Sequence, residues 1–250
     1  MNFNARQIKE ELICWIREWF NENGRGCKCV VGVSGGKDSS VVAALCTEAL
    51  GADRVVGVMM PNLSQPDIQD SIDLIKHLGI QGIMFPVTAP VADILSQLEY
   101  VGIGKSEQAI INLPSRIRMS VLYAVSQSIG GRVANTSNLS ESWVGYGTRF
   151  GDASTGDFCP IKNLTSSEVV ELGRVLDIPE YLVEKVPSDG LCGKTDEDNL
   201  GFTYNELDTY IRTGAYQSQI TRNKIDRKHR ANLFKLQMPP SYDPGLPKIE

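Results

Sequence analysis

The sequence predicts an α/β protein: a doubly wound parallel sheet of about five strands with helices on both faces. Three observations carry this expectation. Short β-branched runs alternate with longer segments of helical period. The runs are almost continuously apolar, as in strands covered on both faces. Glycine closes several of the helical segments.

The elements follow in order. Ile8, Leu12, Trp15, Ile16 and Trp19 recur at helical spacing and predict an amphipathic first helix that stops at Asn23-Gly24. Cys29-Val-Val-Gly-Val33 reads as a buried strand, followed by a helix over 39–50 closed by Gly51. Arg54-Val-Val-Gly-Val-Met-Met60 is a second strand ending at Pro61, then a helix over 66–78 closed by Gly79 and a third strand over 83–87. A short helix spans 90–98, a loop carries Gly102 and Gly104, and a long helix runs over 114–129 before a fourth strand at 132–135. Thr165, with Glu168 three residues on, forms a capping box that opens a helix over 165–176. From 177 to 250 the chain is richer in Pro, Gly and charge, which predicts an irregular lobe over the site within a single domain spanning 1–250. Ligands of such sheets bind beyond the carboxyl ends of the strands, which directs attention to the segments after Val33, Met60 and Asn135.

Composition narrows the function. A formal charge of −5 offers no broad basic face for nucleic acid. No run of about 18 apolar residues spans a membrane, and residues 1–11 lack the apolar core of a signal peptide. The six cysteines form no C-x-x-C pair, and Cys27-Lys-Cys29 is too close for the usual zinc spacing. Reduced thiols in a cytoplasmic protein are the expectation.

The chemistry is expected at Gly32-Val-Ser-Gly-Gly-Lys-Asp-Ser39, between the first strand and its helix. A helix N-terminus presents free N–H groups and a partial positive charge, which suits phosphate. Gly35 and Gly36 let the backbone approach a ligand where a Cβ would block it. Ser34 and Ser39 add hydroxyl donors. A G-x-x-x-x-G-K-[ST] loop would need Gly at Val31 and Ser or Thr at Asp38, so this is a different phosphate loop. An aspartate beside phosphate requires a cation between them, which makes Asp38 a candidate magnesium ligand.

Ser34-Gly-Gly-Lys-Asp-Ser39 resembles the S-G-G-x-D-S loop of the ATP pyrophosphatase superfamily, whose adenine nucleotide alpha hydrolase-like members transfer AMP to a substrate oxygen. Three further segments resemble the NAD synthetases. Asn112-Leu-Pro-Ser-Arg-Ile-Arg-Met119 is similar to their N-x-x-x-R-x-R-M helix. Thr136-Ser-Asn-Leu-Ser-Glu141 and Gly145-Tyr-Gly-Thr-Arg-Phe-Gly-Asp152 are similar to T-[SD]-x-x-x-E and G-[YF]-x-T-[KR]-x-G-D. Lys185-Val-Pro-Ser-Asp-Gly-Leu191 through Asp196-Glu-Asp-Asn-Leu-Gly201 resembles K-x-P-[ST]-x-x-L…D-E-x-x-L-G, and His229-Arg230 stands where that family has a basic pair.

The resemblance implies a division of roles. Gly32, Val33, Ser34, Gly35, Gly36, Lys37, Asp38 and Ser39 would bind ATP together with Thr136 and Ser188. Arg116, Arg149, Asp157, His229 and Arg230 would hold deamido-NAD, and Asp38 and Glu141 a magnesium ion. It implies no side-chain nucleophile: the deamido-NAD carboxylate attacks the α-phosphorus of ATP, and ammonia then displaces AMP. The synthetase region fills the chain, so no glutaminase domain is expected and ammonia is the nitrogen donor.

The chain departs from the pattern at two places. Ser166 stands where the family has an ATP-contacting lysine, so Lys162 or Lys194 substitutes or phosphate is held more weakly. The segment from Gly151 to Asp157 is one residue longer than the common form, which blurs the assignment of Asp157. Two rival readings remain. A tRNA-thiolating or other ATP pyrophosphatase would share the loop, but the thiolating enzymes want paired reactive cysteines and a basic appendage. A non-catalytic adenine-nucleotide-binding protein is the other. The resemblance further implies a homodimer, for which the sequence offers the apolar faces of the first helix (Trp15, Trp19, Phe20) and of the long helix (Ile117, Val121, Leu122, Val125).

Overall fold

The computed structural model describes residues 3–65, 67–153, 155–185 and 195–246. Its centre is a parallel sheet of four strands in the order β3-β2-β1-β4: β1 (Lys28–Gly32), β2 (Val55–Met59), β3 (Gln81–Met84) and β4 (Gly131–Ala134). Val30 pairs with Val56 on one side and Val133 on the other, so β1 is central. The chain winds outward from β1 through β2 to β3, then returns to place β4 on the other side of β1. This reversal opens a crevice beyond the carboxyl ends of β1 and β4, where ligands of such sheets lie.

Alternate residues of the buried strands feed two apolar layers. Cys29, Val31 and Val33 face α1 (Ala5–Asn23), α2 (Lys37–Leu50), α3 (Ile68–Leu78), α7 (Ser166–Arg174) and α8 (Glu180–Val183), with Ile16, Phe20, Leu45, Leu74, Leu172 and Leu182 fully enclosed. Val30, Val56, Val58 and Val133 face α4 (Thr88–Tyr100) and α5 (Glu107–Ser128) through Val91, Val121 and Leu122. A third apolar cluster stands apart from the sheet. There α6 (Leu139–Val144), α9 (Asp196–Leu200), α10 (Tyr204–Thr213) and α11 (Gln219–Asn232) gather around Val144, Leu200, Leu207 and Ile225.

Several expectations shift. Four strands form where about five were expected. Beyond β4, Phe158 makes a single parallel bridge to Ala134, and Pro160, lacking an N–H, follows where further pairing would be needed. The third strand lies at 81–84 and not 83–87: Phe85 and Val87 still donate to the carbonyls of Met59 and Pro61, but Pro61 has no N–H with which to continue the ladder. The long helix begins at Glu107, seven residues before Pro114, because Ser106 caps it by accepting from the N–H of Ala109. Pro114 is thus inside the helix. The apolar faces expected at a subunit interface are largely internal: Ile16 and Phe20 are enclosed, and Val121 and Leu122 pack on the sheet.

Phe158 is the hinge of the first layer. Its ring stacks on Trp19 at 4.7 Å and meets Phe20 edge-on at 5.3 Å, joining α1 to the bridge beside β4. Phe158→Ala should therefore cost about 3–5 kcal/mol of stability. Urea denaturation checks this, and a loss below about 1 kcal/mol would contradict the packing role.

Candidate active site

The loop after β1 folds as its glycines require. Gly35 has φ +81°, and a Cβ there would lie 2.8 Å from the carbonyl oxygen of Asp67; both facts demand glycine. Ser39 Oγ donates to Gly36 O at 3.0 Å and lies 3.2 Å from Ser34 Oγ. The N-cap of α2 is Gly36, and among the described residues no side chain accepts from the first turn of that helix. Its N–H groups therefore point into the crevice, with the helix dipole behind them.

Lys37 and Asp38 occupy that first turn. The Lys37 side chain is almost fully buried, its Nζ 2.6 Å from Asp38 Oδ2 and 5.8 Å from the centre of the Tyr204 ring. Burial pulls the Lys37 pKa down, but the charges of Asp38, Glu141 and Asp196 outweigh it and raise the value. The ammonium stays charged.

The second half of the site comes from the segment after β4. Asn138 caps α6 by accepting from the N–H of Glu141, and the Glu141 carboxylate accepts in return from the N–H of Asn138. The amide of Asn138 donates to Asp38 Oδ1 at 2.9 Å. One asparagine thus joins two carboxylates from opposite sides of the crevice. Burial first, and the charge of Asp38 second, raise the Glu141 pKa to about 8. Among the described residues no cluster of three or more His, Cys, Asp or Glu forms a ready-made metal cage. Two hard carboxylates nevertheless fit magnesium, which is commonly held by one or two carboxylates with phosphate and water completing its shell.

A second group of expected residues gathers farther along α6. Arg116, exposed on α5, donates from Nε to the carbonyl of Arg149 at 3.3 Å. The Arg149 guanidinium lies between the rings of Phe150 and Phe234, 4.9 and 5.3 Å from their centres. The His229 ring stacks on Trp143 at 4.2 Å and contacts its carbonyl through Nδ1 at 2.8 Å. Lys235 Nζ donates to the carbonyls of Gly145 and Gly147 at 2.8 and 3.2 Å, fixing the loop that carries Arg149. Arg230 is exposed on α11, and Thr136 lies between β4 and α6. Asp157 is already engaged: its carboxylate accepts from the N–H of Val133 at 2.7 Å. Ser188 lies outside the described residues, as does Lys194. Ser166 is buried at the first position of α7, and Lys162 is half-buried.

Four further residues line this region without having been singled out. Asn138 was visible as a cap three residues before Glu141. Asp196 sits buried near Lys37 and accepts from the hydroxyls of Tyr146 at 3.1 Å and Tyr204 at 3.3 Å. Asp196, Tyr146 and Tyr204 reach Lys37 only through the packing of α9 and α10 on α6, which no local spacing announces.

A parallel sheet with an uncapped helix N-terminus at its switch point, faced by a carboxylate pair, defines an α/β nucleotide-binding protein. Comparison with known proteins gives the particular family. The sequence profile described as NAD synthase matches residues 8–239. A relative from Carboxydothermus hydrogenoformans, described as an NH3-dependent NAD+ synthetase, is 36% identical over 243 residues, covering 96% of this chain and 98% of the relative. Another so described, from Pyrococcus horikoshii, is 41% identical over 82% of this chain and 77% of its own length. Among solved structures, an NMN synthetase from Francisella tularensis superposes with TM-score 0.88 at 30% identity, covering 97% of this chain and all of that one. An NH3-dependent NAD synthetase from Campylobacter jejuni gives 0.79 at 27%, with the same coverage. The chain belongs to the NAD synthase family.

The raised pKa of Glu141 gives a test on metal-free protein. A folded-state value near 8, above the unfolded 4.5, means that Glu141 is stabilising when protonated. That contribution is complete below the unfolded pKa and is lost as pH rises through 8. Glu141→Gln keeps an acceptor for the cap and removes the charge. In chelator, the melting temperature of the wild type should fall relative to the variant between pH 6 and 9, a window spanning the folded pKa of about 8. Parallel curves across that range would contradict the electrostatic reading.

Proposed function

We propose that the chain catalyses the amidation of deamido-NAD to NAD with ammonia and ATP, releasing AMP and pyrophosphate. The observation that carries this is the first turn of α2, which bears Asp38, has no side-chain cap among the described residues and is joined through Asn138 to the turn that bears Glu141. Such a turn supports binding of the ATP phosphates by Gly32, Val33, Ser34, Gly35, Gly36, Lys37 and Ser39. Thr136 and Ser188 belong to the same proposed set. Arg116, Arg149, His229 and Arg230 supply positive charge for the deamidated dinucleotide. Asp157 remains in that set through the family pattern, although its bond to Val133 N makes it first a brace of β4.

The carboxylate of the pyridine acid attacks the α-phosphorus of ATP, forming an acyl–phosphate bond as the bond to pyrophosphate breaks. Ammonia then attacks the acyl carbon, AMP leaves with the electron pair, and a proton is released. The chain contributes orientation and charge balance, which is where most catalysis of such transfers lies. Magnesium at Asp38 and Glu141 would neutralise phosphate charge when bound. Lys37 and the N–H groups of α2 add fixed positive charge on the same side.

Ammonia as donor is supported by relatives that match this chain over nearly their whole length and are described as NH3-dependent. A cytoplasmic setting, with one domain whose α9–α11 lobe closes over the crevice, completes the reading. We also place a homodimer interface on α4 and the start of α5. Tyr100, Val101, Ile103 and Ile110 are exposed there, and an apolar surface of that kind suits a permanent interface.

A second reading concerns the substrate. The Francisella structure is described as an NMN synthetase, and in this chain Arg149 and His229 are already covered by Phe234 and Trp143. The acid form of the mononucleotide is therefore the rival substrate. Parallel measurement of kcat/KM should favour deamido-NAD by at least about tenfold. The reverse preference would assign the mononucleotide, and pyrophosphate release with neither would refute amidation of a pyridine acid. Activity should also follow free ammonia. Efficient turnover with glutamine alone would contradict the donor assignment.

Sedimentation gives the test of assembly. Ile103→Asp with Ile110→Asp should convert a dimer to a monomer, and a wild type that sediments as a monomer at micromolar concentration would remove the interface.

A further inference from the structure

We infer that Asp208 is a positioning residue for Glu141, tying α10 to the first turn of α6 and so coupling the docking of the α9–α11 lobe to divalent-ion affinity. The inference rests on the divalent-ion reading of Asp38 and Glu141. Asp208 lies in the middle of α10 and is 6% exposed. Its Oδ1 accepts from the hydroxyl of Ser140, the residue immediately before Glu141. Its Oδ2 accepts from both the N–H of Ser167 at 2.8 Å and the Ser167 hydroxyl at 2.6 Å. The Ser140 oxygen in turn accepts from the N–H of Ser166 at 2.9 Å. One carboxylate therefore spans the first turns of α6 and α7, where a negative charge is favoured.

Capping does not account for this arrangement. Helix α6 already has Asn138 as its cap and α7 has Thr165, each closed by a glutamate three residues on. What Asp208 adds is a link between elements. The same helix presents Tyr204, one turn earlier, above the Lys37 ammonium, so α10 touches both charged halves of the site. Without Asp208, the turn that carries Glu141 loses the hydrogen bond from Ser140 that ties it to α10. A carboxylate that holds an ion depends on such outer partners, whose loss typically weakens metal binding about 10–100-fold.

The test uses the full chain in four variants, with half-activating magnesium measured by pyrophosphate release at saturating ATP, deamido-NAD and ammonia. Thermal melting is followed in parallel. Asp208→Asn should raise the half-activating magnesium about tenfold or more. Ser140→Ala should move it in the same direction by a smaller factor. Ser167→Ala removes a hydroxyl bond to the same carboxylate on the α7 side, so it should lower the melting temperature and leave the magnesium requirement in place. Should Asp208→Asn fail to fold, the contrast between the two serine variants decides. Equal magnesium shifts in both serine variants would make Asp208 a general brace and overturn the inference. So would an unshifted requirement in Ser140→Ala while Glu141→Gln shifts it. A Glu141→Gln enzyme with unchanged magnesium dependence would instead overturn the metal reading beneath it.

Discussion

Two carboxylates carried after neighbouring strands of a parallel sheet meet at its switch point, and much of the rest of the structure serves to make that meeting tolerable. Asp38 arrives on the first turn of α2 and Glu141 on the first turn of α6, with Asn138 between them. Like charges placed together and withdrawn from water cost free energy unless a cation or a proton intervenes. The ligand-free protein meets this with the Lys37 ammonium against Asp38 and with a Glu141 that holds its proton up to about 8. Both arrangements are ones that a divalent ion and a polyphosphate can replace. The helix N-termini of α2 and α6 both favour anions there, so the site is balanced between its own carboxylates and the phosphates an incoming nucleotide brings.

The elements around this centre divide by duty. The sheet and its two apolar layers fix where the two loops emerge. The third apolar cluster brings Asp196 and Tyr204 toward Lys37, with the Tyr146 hydroxyl donating to Asp196. Farther along α6, Trp143 stacks on His229, and the α6–α11 contact is closed by Gly145, where a Cβ would collide with Asn232 at 2.1 Å. One short helix of six residues therefore carries the carboxylate proposed for the cation at its start and the Trp143–His229 contact with α11 near its end.

How much of this was legible depended on distance along the chain. The strand–loop–helix at 28–50 was readable because its signals are local: a β-branched run, two adjacent glycines, then helix formers. The Glu141 cap was readable for the same reason. The start of α5 lies earlier than expected because Pro114 looks like a first-turn proline, whereas Ser106 caps the helix eight residues before it. About five strands were expected although only four were located in the sequence, and the described residues form those four with a single added bridge at Phe158. Asp157 shows a contact that the motif does not announce: its position marks it for substrate, and in the structure its carboxylate also accepts from the N–H of Val133. The pairing of Asp208 with Ser140, 68 residues away, has no sequence signature at all.

The central claim is that this crevice joins an acid to AMP before nitrogen arrives, with charge balance and orientation as its means. Exchange of labelled pyrophosphate into ATP tests it most directly, because it reports reversal of the first step alone. With magnesium, ATP and deamido-NAD present and ammonia absent, label should enter ATP, and exchange should cease when deamido-NAD is left out. No exchange under those conditions, or exchange indifferent to deamido-NAD, would contradict the account.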